Sequence, residues 1–319
     1  MDYWDPRIKP YLPSLQPSWT RTFSKPLYEH RDNVPYGSFR SLDEFNWYNG
    51  KNPRFRHPYA LYSAGHAELN LDKAYDVDAM LFNRDRSNTF LLADSGGFQV
   101  GKGAWPLSSI DTQIKKVIRW QEAIADLAVI LEVPTWLEQE SRPIGFDKAL
   151  EETKRSLETY ATYSTGKVKF LNPLHGSTYD EGRRWFDETR WFNDQDFAVG
   201  WCFASAFSKD LHLALKMVLY MIEQEHYPQY LHFLGEGGPL SAVVAAIMRR
   251  TIVRSYPAGI DTGLNVTIDA SSEFLTTGRY MSIYERAVDA KHGAKKMGAF
   301  QIKCKRRPRP IGFEVAGRA

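Results

Sequence analysis

Three carboxylates and a histidine in the 319-residue chain each follow an apolar run and precede small or turn-forming residues. They are Asp94 in TFLLADSGGFQV, Glu132 in AVILEVPTW, His175 in KFLNPLHGS and Asp269 in GLNVTIDASS. Asp269 is followed by Ala270, Ser271 and Ser272, which leave a carboxylate room to attack a substrate carbon, provided a second acid nearby manages protons. Asp261, in AGIDTG, competes for the same role. Asp94 runs into Ser95, Gly96 and Gly97, where two glycines let the backbone approach a flat ligand closely, with Phe98 and Gln99 at its edge. Glu132 interrupts an otherwise buried run, so it must be paired or face a polar cavity. Its oxygens suit the N–H and amino edge of a purine. Each residue also has a structural alternative: Asp94 or Asp269 as a cap, Glu132 paired with an arginine, His175 as a satisfied loop residue.

The elements that must present these groups are short apolar strands alternating with amphipathic helices. Strands are expected at Ala60 to Ser63, Ala79 to Phe82, Thr89 to Ala93, Ala128 to Val133, Val168 to Leu171, Phe197 to Gly200, Tyr230 to Leu234 and Asn265 to Ile268. Helices are expected in IDTQIKKVIRWQEAIA, FDKALEETKRSLETYATY, SKDLHLALKMVLYMIEQEHY and LSAVVAAIMRRTIV. Such alternation predicts an α/β fold with a parallel sheet, and eight units predict closure into a (β/α)8 TIM barrel, an open doubly wound sheet being the alternative. In a barrel the chemistry lies at the carboxyl ends of the strands, which holds for the four residues above. The same rule adds the turns after Gly200 (Gly200-Trp201-Cys202) and Gly235. Residues 1–58, rich in Pro, Trp, Tyr and Arg, read as an irregular layer packed on a barrel of residues 59–290, followed by a basic segment, 291–319.

Composition excludes several classes. At 43% hydrophobic and 25% charged, with two cysteines, the chain is neither disordered, collagen-like nor a disulfide scaffold. No apolar run is long enough to span a membrane, and the first residues lack the layout of a secretory signal, so a cytoplasmic location without membrane attachment is expected. The net charge of +3 hides an asymmetry: Lys295 to Arg309 hold seven basic residues and no acid, leaving 34 − 38 = −4 for the rest.

The order DSGGFQ, EVPT, HGS, AVG, FLGEG and a late aspartate after an apolar strand resembles the tRNA-guanine transglycosylase superfamily over roughly Ala60 to Ser272. The resemblance implies a glycosyltransferase that exchanges guanine for a 7-deazaguanine base, with 7-cyano-7-deazaguanine the expected co-substrate. It implies a covalent intermediate on Asp269 (alternatively Asp261) and proton handling by Asp94. Ser95, Gly96, Gly97, Phe98, Glu132, His175, Gly200, Trp201 and Gly235 would surround the base, with Phe98 and Trp201 stacking on it. Glu132 stands where the family has an aspartate, His175 where the tRNA enzymes have a glutamine. Beyond Asp269 the chain has Cys304 and His292 but no Cys-x-Cys-x-x-Cys, so the zinc subdomain of the tRNA enzymes cannot form from these residues. That departure resembles the shorter bacterial and phage relatives acting on DNA, so DNA is the preferred partner and tRNA the alternative. Neither metal nor redox cofactor is expected. Phosphates would be held by Lys303, Lys305, Arg306, Arg307 and Arg309, helped by Arg183, Arg184, Arg249 and Arg250. A barrel glycoside hydrolase and a non-catalytic nucleic-acid-binding subunit are rival readings; a homodimer or other protein partners remain open.

Overall fold

The computed structural model describes residues 11–25, 42–72, 79–139, 142–204, 206–235, 237, 239–260, 262–270, 282–285 and 300–303. Eight parallel strands form one sheet: β1 (Tyr11–Pro13), β2 (Tyr59–Ser63), β3 (Phe90–Asp94), β4 (Leu127–Val129), β5 (Lys169–Leu174), β6 (Ala198–Phe203), β7 (Tyr230–Phe233) and β8 (Asn265–Ala270). Each strand from β2 to β8 pairs with the next in sequence, and β1 pairs with β8. The ring closes where Leu15 N–H donates to Leu61 O at 2.8 Å, in a parallel bridge between Ser14 and Leu61. The fold is a (β/α)8 barrel.

Nine α-helices are present among the described residues: α1 (Pro17–Ser24), α2 (Ala79–Phe82), α3 (Gly97–Gly101), α4 (Ile110–Ile124), α5 (Phe146–Tyr163), α6 (Tyr179–Thr189), α7 (Ala206–Lys209), α8 (Leu211–Glu223) and α9 (Pro239–Ser255). The long ones pack on the outside of the barrel by amphipathic spacing. In α4 the buried residues Ile110, Ile114, Val117, Ile118 and Gln121 recur every three or four positions, one stripe of a helix. Caps fix several starts: Thr178 Oγ1 accepts from Glu181 N–H at 3.2 Å for α6, and Asp210 Oδ1 accepts from His212 and Leu213 N–H at 3.0 Å each for α8. No helix among the described residues is long and apolar enough to cross a membrane.

Strand alternation divides the core. Leu12, Leu61, Leu92, Val129, Leu171 and Cys202 fill the barrel interior, while their neighbours, such as Tyr62, Ala93, Trp201 and Phe203, pack outward in the clusters under the helices. Two steps along several strands from this interior layer lie Ser14, Ser63, Asp94 and Ala204, which line the mouth of the barrel.

Two expectations are corrected. Ala79–Phe82 forms helix α2 rather than a strand; the seven residues between Phe82 and Phe90 are too few for the crossover that parallel neighbours require. The missing strand is β1, inside the stretch read as irregular. It has three residues, with Leu12 alone pointing inward, so it shows no measurable period. Residues 282–285 and 300–303 form an antiparallel ribbon that includes the backbone of Lys303. Lys305, Arg306, Arg307, Arg309 and Asp261 lie outside the described residues.

Candidate active site

A cavity of about 640 Å³ opens at the carboxyl ends of the strands and is lined by Asp94, Glu132, His175, Gly235 and Asp269, together with Gly97 and Phe98. Residues predicted from five separate strand ends therefore converge on one space.

Asp269 ends the inward-facing series of β8. Its Oδ1 accepts from Gly235 N–H at 2.7 Å and its Oδ2 from Ser14 O–H at 2.9 Å, so each oxygen is anchored by a different strand end. His232 Nε2 lies 3.3 Å from Oδ1, and His232 Nδ1 lies 2.8 Å from Thr267 Oγ1. His232 and Thr267 are both fully buried in the barrel interior, side by side in the β7–β8 register. The carboxylate is thus held in one orientation, facing the cavity.

Asp94 sits at the end of β3, half-buried. Its Oδ2 accepts from Ser63 O–H at 2.5 Å and from Gly96 N–H at 3.3 Å. Burial raises its pKa; the Ser63 hydrogen bond opposes that rise, and the charge of Asp269 adds to it.

Glu132 reaches the cavity because the chain leaves the sheet after β4. Beyond Ile130 the backbone is caught by one face of α5: Tyr160 Oη accepts from Leu131 N–H, Ser156 O–H donates to Leu131 O, and Thr153 Oγ1 accepts from Val133 N–H, at 3.2, 2.5 and 3.1 Å. Tyr160 in turn donates to Gln121 Oε1 at 2.9 Å. These side chains replace the sheet ladder and turn Glu132 inward. Glu132 is 5% exposed, and its carboxyl accepts from Ser95 O–H at 2.9 Å. No arginine pairs with it among the described residues, so the structural ion pair is not formed. Burial pushes its pKa up to about 7, with the Asp94 charge adding.

The glycines of DSGGFQ have separate tasks. Gly96 adopts φ +86° with the Trp105 ring packed over it. Gly97 lies under the Glu132 carboxyl, and a Cβ there would fall 2.0 Å from Oε1. His175 Nε2 is 4.0 Å from the same oxygen, beyond hydrogen-bond length, and burial lowers the His175 pKa to about 4. Near neutral pH His175 is uncharged, so it offers Glu132 no compensating cation.

Gly200 and Trp201 are corrected. The strand expected to end at Gly200 continues to Phe203, which places Trp201 in mid-strand facing the helices. Trp201 is 0% exposed, packs on Phe186, and donates from Nε1 to His226 at 2.8 Å. Gly200 packs against β7, where a Cβ would meet Tyr230 O at 1.8 Å. Neither residue lines the cavity. Two of the supporting arginines are also committed elsewhere: Arg184 to Asp147 and Glu188, Arg249 to the Leu264 carbonyl. Arg183 lies over the Tyr220 ring, 4.6 Å from its centroid.

Ser14, Ser63, His232, Trp136 and Lys209 belong to the site without having been singled out from sequence. Ser63 and His232 were open to detection, since counting inward positions by twos from Leu61 and Tyr230 reaches both. Ser14 was hidden behind the unrecognised β1. Lys209 is the one lysine or arginine among the described lining residues, and its Nζ donates to Gly235 O at 2.9 Å. No family model matches this chain, and no curated protein matches it.

Proposed function

We propose that the protein is a DNA-guanine transglycosylase, exchanging a guanine base in DNA for a 7-deazaguanine through a covalent Asp269 intermediate. The observation that carries this reading is the convergence of three carboxyl groups in unlike environments on one cavity. Asp269 is anchored by two donors and aimed inward, whereas Asp94 and Glu132 hold protons more tightly than ordinary acids. A nucleophile beside proton-carrying acids is what a double displacement at a sugar carbon needs.

The guanine leaves its stack and enters the cavity, where Glu132 and the Gly97 backbone meet its edge, while Ser95, buried behind the lining, holds the Glu132 carboxyl. An Asp269 oxygen attacks C1′ of the deoxyribose. The C1′–N9 bond breaks, and guanine departs with a proton supplied by Asp94. The incoming 7-deazaguanine then loses its N9 proton to Asp94, attacks C1′ and releases Asp269. Two inversions retain the configuration, and the two proton transfers balance. DNA is preferred over tRNA because residues 270–319 hold one cysteine, Cys304, and no Cys-x-Cys-x-x-Cys of the kind the tRNA enzymes carry.

The test is incubation of the protein with labelled guanine and either DNA or tRNA. Label entering DNA, lost in Asp269→Asn and kept in Asp261→Asn, is the expected result. Uptake into tRNA alone would overturn the substrate. Release of reducing sugar from oligosaccharides without base exchange would place the protein among glycoside hydrolases.

A further inference from the structure

The cavity mouth carries an aromatic pair, of which the family resemblance gives a role, on the target base, to Phe98 alone. Phe98, the first residue after the glycine turn, is 60% exposed, and Trp136, four residues beyond Glu132, is 39% exposed. Both line the cavity. Their ring centroids are 5.8 Å apart at 54°, and Lys102 Nζ stands 5.6 Å from each centroid. The Trp136 indole is seated: it lies on Gly101, where a Cβ would fall 2.2 Å from the ring. Lys102 ion-pairs with no carboxylate among the described residues. Two exposed rings beside an ammonium that no described carboxylate neutralises suit a ligand with a flat face and an anion.

Extruding a base supplies one. When a nucleotide leaves the stack, its neighbour in the strand loses a stacking partner while keeping its phosphate. Aromatic rings with a nearby cation recover that loss for any base, since every base has a π-face. We infer that Trp136 and Lys102, next to Phe98, form a second subsite, which takes the base and phosphate of the nucleotide flanking the target guanine in a DNA strand. This rests on the base-exchange reading for where the strand runs. The subsite makes the substrate an unpaired polynucleotide rather than a nucleoside, and it grips without reading sequence.

The test titrates a short single-stranded DNA oligonucleotide containing one guanine against the full chain at low salt, with free guanine binding measured in parallel. Trp136→Ala is expected to weaken oligonucleotide binding about tenfold more than guanine binding, and Trp136→Phe to recover most of that loss. Lys102→Ala should lower the slope of log affinity against log salt by about one. Equal affinity of Trp136→Ala and wild type for the oligonucleotide would overturn the subsite, as would an equal loss for guanine, which would make Trp136 a cavity wall. Tighter binding of the RNA oligonucleotide of the same sequence would overturn the commitment to DNA. Base exchange proceeding with a normal Trp136→Ala titration would sink the subsite alone. Trp136-dependent binding without any base exchange would sink the catalytic reading and leave the subsite standing.

Discussion

Replacing Glu132 by glutamine separates its proton from its shape. The amide keeps the planar head that packs on Gly97 and can still accept from Ser95 O–H, but it cannot ionise. In the folded protein the Glu132 pKa is raised from 4.5 to about 7, chiefly by burial. The folded state therefore holds the proton more tightly than the unfolded chain. Below about pH 4.5 both states are protonated and the group contributes nothing. Between about 4.5 and 7 the unfolded chain ionises first and stability falls; above 7 the penalty is complete. At about 1.4 kcal/mol per pH unit, the penalty at pH 8 is about 3 kcal/mol. Glu132→Gln should then match wild type near pH 4 and exceed it by up to about 3 kcal/mol at pH 8, read from urea denaturation at each pH. Referring the variant to wild type at each pH cancels groups such as His175, whose lowered pKa makes wild type and variant alike lose stability in acid. A stability difference independent of pH would refute the reasoning, because the carboxyl would then be titrating as it does in the unfolded chain.

Two further substitutions probe the geometry. Gly97→Ala should drive a methyl into the Glu132 carboxyl and destabilise the fold by about 1–3 kcal/mol, with thermal denaturation showing a smaller loss in a Glu132→Ala background; an equal loss in both would show that the contact is not the cause. His232→Ala should lower kcat for the proposed base exchange by up to about 10²-fold with little change in KM, because Asp269 loses a neighbour that fixes its orientation; His232→Gln, which keeps a polar nitrogen there, should recover part of the rate, and a change confined to KM would refute the positioning role.

The parts of the fold that were legible are those where one element spans enough residues to show its period. Helix α5 was readable to its ends as FDKALEETKRSLETYATY, and the strands from Phe90 onward stand between helices that space them. Strand β1 was not readable, because three residues carry one inward side chain. Ala79–Phe82 was misread because four apolar residues fit helix and strand alike. At the site, Asp94, Glu132, His175 and Asp269 were recognisable as polar residues ending apolar runs. Trp201 was misplaced by an error of strand length, since ending β6 at Gly200 rather than Phe203 turns a core indole into a cavity residue. The turn that aims Glu132 inward depends on Tyr160, Ser156 and Thr153, residues that look like ordinary helix positions until α5 is docked.

The hydrogen bond from Ser14 to Asp269 joins residues 255 positions apart in the chain. Ser14 also belongs to the bridge by which β1 meets β2. Closing so long a loop adds an entropic cost that grows only with the logarithm of its length, but contacts of such separation are slow to find. A chain in which β2 to β8 have paired while β1 is undocked holds every predicted acid and lacks the hydroxyl that anchors one oxygen of Asp269. Ring closure is in this sense an assembly checkpoint: both oxygens of Asp269 are anchored only once the two ends of the sheet have met, so a partly folded barrel does not hold this carboxylate in its finished orientation.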